Sequence, residues 1–152
     1  MKSKNIHAPD LTKQPPRSPR VRLGGYAILP RCLDKGRALL AGKNGEYNYD
    51  CPHDQHVLNF AGIRGADLKK QLALGKSDSE ILDWIAKTST TKPQPWQIAQ
   101  WSAYVERRGP GDAETQEYFT QLLAKFSKTR EDIHTWFELL DLDDYVTFGG
   151  QA

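Results

Sequence analysis

Asp50, Cys51, His53, Asp54 and His56 place a thiol, two imidazoles and two carboxylates within one short segment of the sequence. On a helix opened by Pro52, the apolar residues Val57, Leu58, Phe60 and Ala61 form one face, and His53 and Asp54 fall on that same face. Burial there perturbs both pKa values, and the positive end of the helix favours the carboxylate form of Asp54. The chemistry expected of this pair is acid/base catalysis, Asp54 moving a proton with His53 beside it and Tyr26 or Tyr47 nearby. The structural alternative is that Asp54 charges or caps its own helix start while His53 bonds to neighbouring backbone, a role that perturbed groups fill as often as catalysis.

Cys51 stands at the N-terminal edge of the same helix, where the dipole and free amides favour a thiolate. It is a candidate nucleophile with His53 as base, against the commoner finding of a small, half-buried free cysteine. His53 and His56 are spaced for two metal ligands on adjacent turns, but no third ligand stands at a recognisable spacing, so neither a metal nor an organic cofactor is expected.

Arg20, Arg22, Arg31, Lys35 and Arg37 gather just upstream, with Arg31 and Lys35 one turn apart. Such a pair can hold a carboxylate or phosphate. Arg31 and Lys35, with Trp101 and Tyr104, make up the expected substrate-binding set. Asp34 and Glu46 are available as counter-charges, which gives the competing reading of an ion-pair lattice that holds the N-terminal segment down. His134 and Glu138 point away from the apolar face of their helix and read as a solvated pair. No glycine-rich stretch has the strand-to-helix context and lysine of a phosphate loop.

The elements that must position these groups are helical. Pro30 opens a helix carrying Leu29, Cys32, Leu33 and Leu40 and stopped by Gly42; Pro52 opens the next, ended by Gly62; a third runs from Ala66 to Leu74 before Gly75. Ser77 and Glu80 form a capping box ahead of Ile81, Leu82, Trp84 and Ile85. Pro95 starts a helix burying Ile98, Trp101 and Val105, with Trp96 turned away toward a pocket or partner surface. Asp112 caps a helix with a stripe of Tyr118, Phe119, Leu122, Leu123 and Phe126, and Thr129 is expected to cap the last, its inward face being Ile133, Trp136, Phe137 and Leu140. Glu46 to Tyr49 and Tyr145 to Phe148 have strand composition and could pair as a very short two-stranded element. The expectation is a mostly α, compact bundle of about six helices spanning residues 23–152, preceded by an extended arm, residues 1–22, rich in proline and basic residues.

Composition agrees with one domain. At 152 residues the chain can bury a core without staples. A mean hydropathy of -0.67 is too polar for a membrane span, and the two cysteines, Cys32 and Cys51, are too few for a disulfide scaffold. The N-terminus lacks the apolar stretch of a signal peptide, so a cytoplasmic protein is expected. The arm holds six of the basic residues and one Asp, which leaves the body mildly acidic within a net charge of +2 and argues against a nucleic-acid partner. A small-molecule ligand is the expected partner; homo-oligomerisation stays open.

Two functions compete on these residues. One is a cofactor-independent lyase or isomerase acting on an anionic small substrate. The other is a non-catalytic module that binds a small ligand or another protein. The first requires Asp54 to face a concave pocket with an arginine or lysine opposite; enclosure and full pairing of Asp54 would remove it from catalysis.

The string Pro16-Arg17-Ser18-Pro19-Arg20, Leu23-Gly24-Gly25-Tyr26, Leu29-Pro30-Arg31, Asp34-Lys35, Ala41-Gly42, Gly45-Glu46-Tyr47 and Cys51-Pro52 resembles the bacterial family described as domain of unknown function 5069. Gln97 to Tyr104 and Leu140-Asp141-Leu142-Asp143-Asp144 look like the same family, so the resemblance extends over nearly the whole chain. It implies no activity. In the family's pattern the position of His53 is more usually aliphatic, and the resemblance therefore favours Asp54 and Cys51 over His53.

Overall fold

The computed structural model describes residues 7–152, which form seven helices in the order α1 Leu29–Leu40, α2 Pro52–Ala61, α3 Gly65–Ala73, α4 Asp78–Thr88, α5 Pro95–Arg107, α6 Ala113–Phe126 and α7 Trp136–Thr147. The fold is mostly α. Among the described residues the only β pairing is an isolated bridge between Leu23 and Tyr26. No helix among the described residues is long and apolar enough to cross a membrane.

α1 is the central element. It is buried on nearly all sides, and the buried residues include Arg31, Asp34 and Lys35 as well as Leu29, Cys32 and Leu33. A helix enclosed in this way normally carries no charge; each of these three is held by a partner of opposite charge, as described below. Gly36 permits the closest approach, since a Cβ there would lie 2.6 Å from Leu72 of α3 and 3.1 Å from the Tyr49 ring. Around α1 the main core collects Val57, Leu58 and Ala61 of α2, Leu68 and Leu72 of α3, Ile81 and Ile85 of α4, and Ile98 and Val105 of α5. A second, smaller core joins α6 to α7 through Phe119, Leu139 and Leu142 together with Ile133.

The helix ends follow from local chemistry. Ser77 and Glu80 exchange backbone bonds at the start of α4 (3.2 and 3.1 Å), and the Asp112 carboxylate accepts from Thr115 N at 2.8 Å at the start of α6. Pro52 and Pro95 occupy first-turn positions of α2 and α5. Gly62 ends α2 in the left-handed region at φ 69°, where a Cβ would meet Thr91 N at 2.6 Å.

The last helix departs from expectation. Thr129 does not cap it; residues 127–135 are irregular, with the Ser127 hydroxyl accepting from Thr129 N and Arg130 N. The cap is Thr135, whose Oγ1 accepts from Glu138 N (3.1 Å) while the Glu138 carboxylate accepts from Thr135 N (3.0 Å) and His134 N (3.2 Å). Glu138 is therefore a capping residue and not one half of a solvated pair with the His134 side chain. The expected two-stranded element does not form either, because Tyr145, Val146 and Thr147 continue α7 and residues 46–49 run as turn and coil. The weak strand preference of three residues yields to a helix already nucleated by its capping box.

The segment ahead of α1 lies on the body. Leu11, Pro16 and Pro19 are buried, Leu11 N donates to Lys43 O (2.8 Å), and Ile28 N donates to Pro19 O (2.9 Å). Arg17 bridges Asp34 of α1 (3.0 Å) and Asp78 of α4 (2.9 Å), and Arg37 reaches the same Asp78 at 2.7 Å. Residues 1–6 of the expected arm fall outside the described residues.

Candidate functional site

Where α7 crosses α1 and the first turn of α2, the fold leaves a cavity of about 240 Å³. Its wall brings together Arg31 and Lys35 from α1, Tyr47 from the following loop, Cys51 at the cap of α2 and His53 in its first turn. Glu46, Asn48, Leu140, Asp143 and Thr147 complete it. The volume lies just below the usual range for drug-sized ligands.

Asp54 does not reach this cavity. Its side chain has no exposed surface. Oδ2 accepts from Asp50 N at 2.9 Å, which ties down the turn before α2, and Oδ1 lies 2.9 Å from Lys35 Nζ. That approach is too oblique for a hydrogen bond, so Oδ1 has charge compensation without a directed donor. With no path to solvent or substrate, Asp54 is not placed to exchange a proton with a ligand; its position assigns it to holding Lys35.

Lys35 is 4% exposed and donates to Asn48 O (3.1 Å) and Cys51 Sγ (3.2 Å) besides pairing with Asp54. Two of its ammonium N–H bonds are directed to Asn48 and Cys51, while its charge is matched by Asp54. Arg31 pairs with Asp144 of α7 through two hydrogen bonds of 2.7 and 3.2 Å, both partners being under 10% exposed. Tyr47 donates its phenol to the same carboxylate (2.7 Å), with the Arg31 guanidinium 5.5 Å from its ring centre. Burial first, and then this bond to Asp144, pushes the Tyr47 pKa far up, so its phenol is a fixed donor and not a base. Arg20 pairs with Asp141 (3.1 Å) and Arg22 with Glu106 (3.1 Å). All five basic residues grouped in the sequence thus have a carboxylate partner.

His53 is half-buried. Burial, with His56, Lys35, Arg31 and Arg108 adding like charge, lowers its pKa to about 4, so it stands uncharged at neutral pH. Stability carries the signature of this shift. Below 6.5 the unfolded chain takes up a proton that the native imidazole refuses until about pH 4, so stability falls as pH is lowered through that window. His56, also lowered chiefly by burial, acts in the same direction. In His53→Gln the urea midpoint should fall less between pH 6.5 and about 4.5 than in the wild type; equal falls would contradict the buried, uncharged imidazole.

The remaining sequence candidates lie elsewhere. Tyr26 is 5% exposed and packs edge-on to Phe60 (6.2 Å), and Trp101 stacks on the same Phe60 ring at 4.6 Å; Tyr104 is 66% exposed. None of the three lines the cavity. His53 and His56 rings stand 6.4 Å apart, and His56 Nε2 is 3.0 Å from Arg108 Nη1. Among the described residues no three His, Cys, Asp or Glu side chains gather as a metal site requires. The groups that sequence reasoning missed are on α7: Asp143 and Asp144 fall in a stretch whose helix start had been misplaced.

The model of the domain of unknown function DUF5069 matches residues 13–146, nearly all of the chain. The chain belongs to the DUF5069 family. The match spans α1 to all but the last residue of α7, so every residue of the cavity wall except Thr147 lies within this DUF5069 domain. No curated relative matches the chain.

Proposed function

We propose that this DUF5069 protein acts on a small polar molecule in the cavity between α1, α2 and α7, by cofactor-independent acid/base chemistry of the lyase or isomerase type. The supporting observation is convergence: Arg31, Lys35, Tyr47, Cys51 and His53, singled out separately in the sequence, line one cavity. The roles differ from the initial expectation. Cys51 and the uncharged His53 face the ligand, and Lys35 fixes the Cys51 sulfur at 3.2 Å. Asp54 is a positioning residue that acts through Lys35. A substrate of net negative charge has little to recommend it, because the charges of both wall cations are already matched by Asp144 and Asp54.

The test is a thermal-shift screen of small metabolites, with turnover of each hit followed in Cys51→Ser and His53→Gln. Removing a group that moves the proton should lower turnover about 10²- to 10⁴-fold while leaving the fold intact. Unchanged turnover in both variants would sink the catalytic assignment. A non-catalytic binding module is the second reading, favoured by one observation: Lys35 is already engaged by protein groups, through hydrogen bonds to Asn48 and Cys51 and the ion pair with Asp54. Saturable binding of a hit with no product formed would decide for it.

A further inference from the structure

A second, apolar cavity of about 140 Å³ adjoins the first. Tyr118, Leu122 and Phe126 of α6 face Trp136 and Leu139 of α7 across it. His53, Leu140 and Asp143 line both cavities and so mark their junction. A volume of this size, walled by aromatic and aliphatic groups, matches one benzene ring, since an apolar cavity of roughly 150 Å³ admits benzene.

Charge at the junction is one-sided. Asp143 accepts only from Thr147 Oγ1 (3.0 Å), and neither Asp143 nor Glu46 lies within ion-pair distance of a basic side chain among the described residues. The cations of the wall are compensated and its carboxylates are not, which favours a cationic nitrogen beside Asp143, in a cavity that Trp136 and Tyr118 also line. Farther in, Arg31 uses both N–H bonds of Nη1 and one of Nη2 on Asp144 and Arg17 O. Nε–H and the second Nη2–H have no protein acceptor among the described residues and can receive a carboxylate oxygen.

Resting on the small-molecule reading of the first cavity, we propose that the ligand class is an α-amino acid with a large apolar side chain. The side chain sits between α6 and α7, the ammonium group beside Asp143, and the carboxylate on the free edge of Arg31. One ligand thus satisfies the apolar cavity, the unpaired carboxylate and the half-used guanidinium.

Calorimetric titration of the full chain with L-phenylalanine, 3-phenylpropionate and glycine tests this. L-phenylalanine should bind at least about tenfold more tightly than 3-phenylpropionate, which lacks the ammonium, and than glycine, which lacks the side chain. Asp143→Asn should erase the preference over 3-phenylpropionate. Leu122→Trp should abolish L-phenylalanine binding by filling the apolar cavity, and if that variant does not fold, Tyr118→Ala at an exposed wall position should weaken it. Equal affinity for glycine, no binding of L-phenylalanine, or a preference untouched by Asp143→Asn would overturn the proposal. The two readings fail separately. Polar hits lost in Cys51→Ser but untouched by Leu122→Trp leave the first cavity functional and refute the amino-acid class, whereas selective L-phenylalanine binding without turnover sustains the class and refutes catalysis.

Discussion

Replacing Lys35 by methionine should cost roughly 3–5 kcal/mol of folding stability, the range for removing one partner of a buried ion pair. The magnitude follows from Asp54. Its carboxylate has no exposed surface, and among the described residues its Oδ1 has no directed donor and Lys35 is the only charge compensating it, at 2.9 Å. A domain of this size is held by about 5–15 kcal/mol in all, so the single variant should stand near the edge of folding at room temperature. Lys35→Met/Asp54→Leu should recover most of the loss, because a buried pair replaced by apolar groups of similar volume is often neutral. Urea denaturation of the four species gives the coupling directly. A loss below about 1 kcal/mol in Lys35→Met would show that Asp54 finds compensation elsewhere.

Arg31→Leu should be comparably damaging, again roughly 3–5 kcal/mol, since it strands Asp144 with Tyr47 as its remaining donor. Arg31→Lys separates geometry from charge. A lysine keeps the charge but cannot reproduce the two parallel bonds to Asp144 that tie α1 to α7, nor the contact over the Tyr47 ring. It should therefore recover less than half of the loss in the same denaturation series. Wild-type stability in Arg31→Lys would mean that the pair acts as a point-charge contact.

The sequence revealed most of the helices because their ends are local. Ser77 with Glu80, Asp112, Pro52 and Pro95 each satisfy or pre-set backbone geometry within a few residues, and all four starts stand where the pattern put them. The last helix was misread by preferring Thr129 to Thr135, although Thr135 and Glu138 repeat the spacing of Ser77 and Glu80. The site was legible in part. Cys51 and His53 are near neighbours in sequence, and Arg31 and Lys35 are one turn apart, so their convergence needed only two helix assignments. The surroundings of Asp54 are not legible for a physical reason: the helical wheel shows that a carboxylate points inward but not whether the inside holds a cavity or a lysine. Asp143 and Asp144 could not be placed without knowing that α7 returns across α1, a long-range contact that no local pattern carries.

The claim that the junction of α1, α2 and α7 is a ligand site is tested most directly by mapping amide chemical shifts of the isotope-labelled protein during titration with L-phenylalanine and 3-phenylpropionate. Shifts should concentrate on residues 46–53 and 140–147, spreading to 118–126 with L-phenylalanine. Shifts confined to the exposed Trp96 and Tyr104 face of α5, or no saturable shift with either probe, would contradict it.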